Sequence, residues 1–378
     1  MKRIVVASDS FKGSLSSMQV ADAVEQGVHE VSPSCKVIKV NVADGGEGTV
    51  EALLDTLGGQ MQTVIVSDPL GRPISASYGI LADGVTAVME MSAASGLPLL
   101  SVEERNPMKT STYGTGEMIN DALSKGCCKF LVGIGGSATN DGGMGMLTAL
   151  GFRFIDADGK VLNGTGENMS EVQKIDARYV PEPVGDSEFI VACDVDSPFY
   201  GPKGAAYVFS PQKGADAAIV EELDRGMRHF ADVISRSMNK DIAEIPGAGA
   251  AGGLGGGFLA FLNARLERGV EMVLDAIHFD DIIKGADLVI TGEGRVDFQT
   301  LTGKTPFGVM RRARKQDIRV AAIGGSVALS DNDDVSGFDM ILQATPEGMP
   351  LSQAMQPKVA MENVSAAAER MIKEYLKA

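Results

Sequence analysis

Histidine, cysteine, basic charge and long apolar runs are all scarce in this sequence, and each scarcity excludes a class of chemistry. The three histidines, His29, His229 and His278, lie in helical or apolar stretches and read as structural residues, which argues against a Ser-His-Asp hydrolase and a histidine-based zinc enzyme. Four cysteines, Cys35, Cys127, Cys128 and Cys193, include no CxxC pair and no zinc spacing, so they read as buried thiols of a reducing compartment. The protein-kinase HRD and DFG stretches and the GxSxG elbow are missing, as are the mechanisms they serve. No apolar run approaches the roughly 20 residues of a membrane span. The start, MKRIVVASDSF, pairs basic with apolar residues, but Asp9 interrupts it too early for a signal peptide, and a cytoplasmic location is expected. Lys and Arg number 34 against 50 Asp and Glu, a net charge of −16, which disfavours nucleic acid as a partner. Small anions remain compatible, because local lysines can oppose the global sign.

Glycine, by contrast, is abundant, at 46 of 378 residues, with 44% hydrophobic and 22% charged residues, the composition of a globular chain rich in tight turns. The length suits two domains. Apolar runs alternate with helical patterns, the signature of βα units around parallel strands. Residues 4–7 and 37–42 read as strands around a helix at 18–31, and both strands run into polar, glycine-containing loops, SDSFKGS and ADGGEGT. Over 62–92 short strands joined by turns suggest antiparallel pairing. A helix at 116–124 then leads to a strand at 130–134, with further strands expected at 152–155, 189–192 and 206–209 and helices at 217–238 and 256–264. The βα rhythm returns with strands at 288–291, 320–323 and 340–343, a helix at 306–315 and a closing helix to 377. The expected architecture is α/β with two domains: a parallel-sheet domain from 1–65 and 285–378, and a mixed-sheet domain, 66–284, inserted in it.

Ligands of open α/β sheets bind beyond the carboxyl ends of the strands, so the strand exits are where chemistry is sought. TGEGRVDFQTLTGKT, residues 291–305, ends like a P-loop, yet Phe298 occupies the position that must be glycine, and the Walker reading fails. In KFLVGIGGSATNDGG, Gly133, Gly135 and Ala138 match GxGxxG/A, with Asp156 about 20 residues on. The polar Thr139, Asn140 and Asp141 interrupt the place where a dinucleotide-binding helix should begin, which favours a phosphate or metal loop over a Rossmann site. A second match, GAGAAG at 247–252, follows Pro246 rather than a strand; its glycine run suits a helix N-terminus set against an anion. Acidic residues recur at the exits: Asp9, Asp44 with Glu47, Asp141, Asp194 with Asp196, and Glu293 with Asp297. Each alone is an ordinary turn former. Together with Lys12, Lys213 and Lys304 they form the kit that phosphoryl transfer from Mg-ATP requires, with carboxylates for the ion and for a hydroxyl proton and cations for phosphate charge. The nineteen methionines read as core filler.

Read together, these loops resemble the type-1 glycerate kinase family. The matching stretches are DSFKGSLS (9–16), ADGGEGT (43–49), EMSAASGL (90–97), GTGE (114–117), GIGGSATNDGG (133–143), ACDV (192–195), PQKGA (211–215), PGAGAAGGLG (246–255) and TGEGRVDFQT with GKTPFGV (291–300 and 303–309), in one order along essentially the whole chain. The resemblance implies ATP-dependent phosphorylation of D-glycerate at the 2-hydroxyl, giving 2-phosphoglycerate and ADP, with magnesium. It also implies a flavodoxin-like domain and a mixed-sheet domain with the active site in the cleft between them. The resulting expectations are that Asp194 accepts the proton of the 2-hydroxyl, that Lys12 and Lys213 meet the substrate carboxylate and the transferring phosphoryl group, and that Asp44, Glu47, Glu293 and Asp297 hold magnesium. Gly135, Gly136, Ser137, Thr139 and Asn140 are expected to cradle phosphate or glycerate, with Asp9, Ser10, Gly252, Gly253, Gln299 and Lys304 around substrate and nucleotide. The sequence departs from the family pattern at Ser8, where proline is common, at Ser197 and Phe199, in place of Asn-Pro-Leu, and at Phe298, which is expected to pack rather than to touch ligand. The competing readings are 3-kinase regiochemistry, a nicotinamide-dependent hydroxy-acid oxidoreductase resting on GIGGSA, and a non-catalytic binder of small sugar acids.

Overall fold

A computed structural model describes residues 3–330 and 332–377. Among the described residues the strands are β1 (Arg3–Val6), β2 (Lys36–Lys39), β3 (Gly59–Ser67), β4 (Pro73–Leu81), β5 (Thr86–Glu90), β6 (Lys129–Gly133), β7 (Arg153–Ile155), β8 (Lys174–Asp176), β9 (Glu188–Ala192), β10 (Arg265–Glu267), β11 (Leu288–Asp297), β12 (Arg319–Ala328) and β13 (Met340–Gln343). The chain divides into two compact units, Met1–Asp44 with Val273–Ala378, and Gly45–Met272.

The first unit is built on a five-stranded sheet ordered β13-β12-β11-β1-β2, every pairing parallel. Renumbered within the unit this is the flavodoxin-like order 2-1-3-4-5, whose switch point lies between its first and third strands, here β1 and β11. Parallel strands covered on both faces read as unbroken apolar runs, and Ile4, Val5, Val6, Leu288, Val289 and Ile290 are all buried. The helix Ser17–Val31 starts at a capping box formed by Ser16 and Gln19, which satisfies two otherwise orphaned N–H groups. It packs on the helix Pro357–Tyr375 so closely that a Cβ on Gly27 would lie 2.1 Å from the Ser365 carbonyl oxygen. Their shared core runs through Val20, Val24, Val364, Ala368 and Met371.

The second unit holds a six-stranded mixed sheet, β10-β9-β6-β5-β4-β3. The β3–β4 and β4–β5 pairs are antiparallel, as the texture of 62–92 suggests, and the others are parallel. β7 and β8 form a separate antiparallel pair. Phe130, Phe189 and Phe258 lie in one core, the first two rings stacked at 4.7 Å between centroids.

Two sequence expectations are corrected here. The four residues 206–209 belong to the helix Ala205–Phe209; so short an apolar run has no periodicity to separate a strand from a buried helical turn. The helix expected from 256 begins at Ala250 and is kinked by left-handed Ala251, Gly252 and Gly253. The compact units divide at Asp44 and Met272, whereas the sequence reading places its boundaries at 65 and 284; β3 pairs with β4 along nine residues.

Candidate active site

In the first unit, the chain leaving β1 stays beside β11: Ala7 N–H donates to the Ile290 carbonyl and Asp9 N–H to that of Gly292, each at 2.9 Å. Ser8, buried in the proline position, accepts the Ser17 hydroxyl at its carbonyl. This geometry sets the Asp9 carboxylate at the sheet's switch point. Asp9 is buried; its Oδ1 accepts Ser10 N–H at 2.7 Å and its Oδ2 the Thr305 hydroxyl at 3.2 Å. Burial, reinforced by the charge of Asp44, pushes the Asp9 carboxyl up to about 6 against the opposing pull of Ser10 N–H, Lys12 and Thr305. Lys12 is exposed, its Nζ 3.8 Å from Asp44 Oδ2. Glu293, on β11, is only 7% exposed. Its Oε2 lies 3.6 Å from Lys304 Nζ, whereas its Oε1 has no hydrogen-bond partner within the protein. Burial raises the Glu293 carboxyl, with Asp9 and Asp297 adding to the shift and Thr300 and Lys304 opposing it. Thr291, two residues back on the same strand, also has a buried hydroxyl without a partner. Asp297 accepts Gln299 N–H at 3.0 Å and faces Arg295 Nε at 3.2 Å.

Of these groups Asp9, Ser10, Lys12, Asp44, Glu293, Arg295, Asp297, Gln299 and Lys304 line one end of a cavity of about 730 Å³. Eight of the expected site residues converge on it: Asp9, Ser10, Lys12, Asp44, Glu293, Asp297, Gln299 and Lys304. Its other end, formed by residues after β13 and by the helix Pro357–Tyr375, escaped the sequence reading. The signal available was the strand-exit rule itself, since ATPEGMP leaves β13 as the other loops leave their strands.

The remaining expected residues belong to the second unit. Lys213 is fully buried and donates to Ser137 Oγ at 2.7 Å and to the Thr139 carbonyl at 2.6 Å. Its amine is thus committed within the loop after β6, and burial pushes it down to about 7 although Asp141 opposes the shift. Asn140 is equally buried, accepting the Ser210 hydroxyl at 2.8 Å and donating to Met227 Sδ at 3.2 Å. Gly252 seals this arrangement: its φ is +69°, and a Cβ there would lie 2.1 Å from the Thr139 carbonyl oxygen. Gly253 sits against Phe199, a buried core residue. Asp141, at the next position of the loop, is wholly buried and accepts from Thr112 N–H and hydroxyl and from the N–H groups of Gly143 and Gly145. It is therefore an anchor of the loop. Gly135 and Gly136 stay exposed, and the Thr139 hydroxyl is buried without a partner. Asp194 is exposed after β9, its Oδ1 accepting Gly269 N–H at 3.1 Å and its carbonyl accepting from Arg268 at 2.7 Å. Glu47 is exposed, and it is not among the carboxylates lining the first unit's cavity. Phe298 is 60% exposed, contrary to the expectation that it packs.

The GIGGSA match does not open a helix. Ser137 bridges to Gly96, and the helix after β6 begins only at Met144, so the pyrophosphate-facing helix start of a dinucleotide fold is not formed there. His29 and His229 each pair with a backbone carbonyl, of Cys35 and Val172, as structural histidines do. Among the described residues, no three His, Cys, Asp or Glu side chains cluster to hold a metal ion, and no helix is long and apolar enough to cross a membrane.

Comparison with known proteins adds three findings. The model of the glycerate kinase family matches residues 4–376. The chain is 42% identical to a glycerate 2-kinase of Escherichia coli (strain K12), over 98% of this chain and 97% of that protein, and 46% identical to a glycerate kinase of Bacillus subtilis (strain 168), over 94% and 93%. A crystal structure from Salmonella typhimurium LT2, of a protein described as glycerate kinase 2, superposes with a TM-score of 0.90 at 41% identity and covers both chains completely.

Proposed function

Because this chain belongs to the glycerate kinase family, we propose that it transfers the terminal phosphoryl group of ATP to the 2-hydroxyl of D-glycerate, giving 2-phosphoglycerate and ADP. The observation that carries the reading is the switch-point cluster, where Glu293 keeps a buried, unpartnered oxygen close to the cation of Lys304 and to buried Asp9. A buried carboxylate oxygen left open costs desolvation with no return unless a ligand meets it.

Magnesium fits this donor set. It keeps several waters and is usually held by one or two carboxylates plus substrate phosphates, so a three-carboxylate cage is not required. Glu293 and Asp9 are the assigned ligands, with Asp44 and Asp297 flanking them in the same cavity. When bound, the ion offsets charge on the phosphate oxygens. Lys12 and Lys304 supply the fixed positive charge that the phosphoryl oxygens need during transfer. Asp194 is assigned to receive the proton of the 2-hydroxyl. Lys213 acts by holding Ser137 and Thr139 in place, which keeps the exposed Gly135 and Gly136 shaped for close approach of an anionic group.

The reading is tested by incubating the protein with Mg-ATP and D-glycerate and identifying the product by phosphorus NMR. Appearance of 2-phosphoglycerate with ADP is the expected result; 3-phosphoglycerate overturns the regiochemistry, and glycerate binding without ADP formation overturns the kinase. Asp194→Asn should lower kcat by two or more orders of magnitude, the usual scale of general acid–base catalysis, with a modest change in the KM for ATP. Near-normal turnover would remove Asp194 from the proton path.

A further inference from the structure

We infer that the apolar end of the first unit's cavity seats the purine base of the nucleotide and that Asn363 reads its edge, an assignment that rests on the kinase reading above. The cavity, at about 730 Å³, falls within the size range of small-molecule sites and is chemically two-ended. The end at β1 and β11 carries Asp9, Glu293, Lys12 and Lys304. The end after β13 is lined by Met349, Leu351, Met355, Ala360 and Val364, aliphatic and thioether side chains, with Gln343, Thr345 and Glu347 also in its lining.

Two of these side chains are left open to an unusual degree for apolar groups, with Leu351 73% and Met355 38% exposed. Met355 also bridges the two ends, since its Cε lies 3.0 Å from where a Cβ on Gly13 would stand, next to Lys12. A flat aromatic base covers such surfaces on both faces, and thioethers make favourable contacts with aromatic rings. Glycerate does not suit this end, because a three-carbon hydroxy acid has no apolar face to exchange for the water it would displace.

Of the two carboxamides at this end, Gln343 is engaged at both its amide atoms, by Val327 N–H and the Thr345 carbonyl, which leaves Asn363 to meet a ligand. Its Nδ2 donates to Met349 Sδ at 3.5 Å, and a thioether is a weak acceptor, so the amide loses little by turning to a ligand. A carboxamide offers one donor and one acceptor side by side, the pair that matches an adenine edge. On the edge that carries N7, adenine offers an acceptor and a donor whereas guanine offers two acceptors, so Asn363 reading that edge pairs bidentately with adenine and not with guanine. The phosphates then lie toward Lys12 and Lys304, the cationic end.

The test is calorimetric titration of the full chain with Mg-ADP, Mg-GDP and Mg-pyrophosphate, comparing wild type with Asn363→Leu and with Leu351→Glu, a change at an exposed position that leaves the core intact. Expected is a loss of Mg-ADP affinity of about tenfold or more in both variants, the scale of one lost bidentate base contact. Asn363→Leu should also lose the preference for ADP over GDP, while pyrophosphate binding stays unchanged. Should both variants bind Mg-ADP like wild type, or weaken pyrophosphate equally, the base assignment is overturned even if 2-phosphoglycerate is still formed. Wild-type protein that binds no Mg-ADP at all would overturn the assignment together with the kinase reading.

Discussion

At the scale of single residues, the most informative group is Asp9. A carboxyl raised to about 6 from its ordinary 3.8 is favoured in its protonated form by the fold. Its contribution to stability is therefore complete below about 3.8 and lost as pH rises through about 6. Asp9→Asn should make the protein more stable than wild type at pH 8, by up to roughly 3 kcal/mol, and confer no advantage at pH 3.5; denaturant midpoints at the two pH values check both. If the ionised form assists the ion at the switch point, kcat/KM for Mg-ATP should fall below about pH 6 in wild type, and the variant should be poorly active at every pH. A variant both destabilised at pH 8 and fully active would contradict the assignment. Lys213 teaches the complementary lesson. The sequence marked it as a cation for substrate, but only the folded loop reveals that its amine is engaged by Ser137 and Thr139. No local pattern in the sequence reports such hydrogen bonds to Ser137 and Thr139.

Elements were legible where one physical cause dominated. The unbroken apolar runs of β1 and β11 announced buried parallel strands, and the exits of those strands announced Asp9, Lys12 and Glu293, which share one cavity. The opposite wall was hidden because Ala360, Asn363 and Val364 recur at ordinary helical spacing, the pattern of any helix facing a core. Residues 206–209 are too short an apolar run to separate a strand from a helical turn, and nothing within β3 announces that its partner lies downstream of it. Gly27 was equally silent in sequence, yet it sets how closely the helices Ser17–Val31 and Pro357–Tyr375 approach. Gly27→Ala should destabilise the protein by about 1–3 kcal/mol through overpacking, even though alanine is the better helix former. Urea unfolding measures it, and a midpoint unchanged or raised would contradict so close a contact.

For the molecule as a whole, a net charge of −16 bears on a reaction whose proposed substrates are both anions. At low ionic strength the global field opposes their approach, and screening over a Debye length of about 10 Å at 0.1 M salt removes much of it. kcat/KM for glycerate should thus rise as inert salt increases from about 10 to 100 mM; a fall would mean that the field of local lysines prevails. The sheet order of the first unit has a different consequence. β1 lies between β2 and β11, and the helix Ser17–Val31 shares its core with a helix that begins at Pro357. On the ribosome, at about 5–20 residues per second, the earliest strand waits for tens of seconds before its second neighbour is made. By the end of that interval Gly45–Met272 has all of its own strands to hand, whereas the first-made residues still have a naked apolar edge. The part of the chain born first is the last to find shelter, and it is there that a chaperone has most to protect.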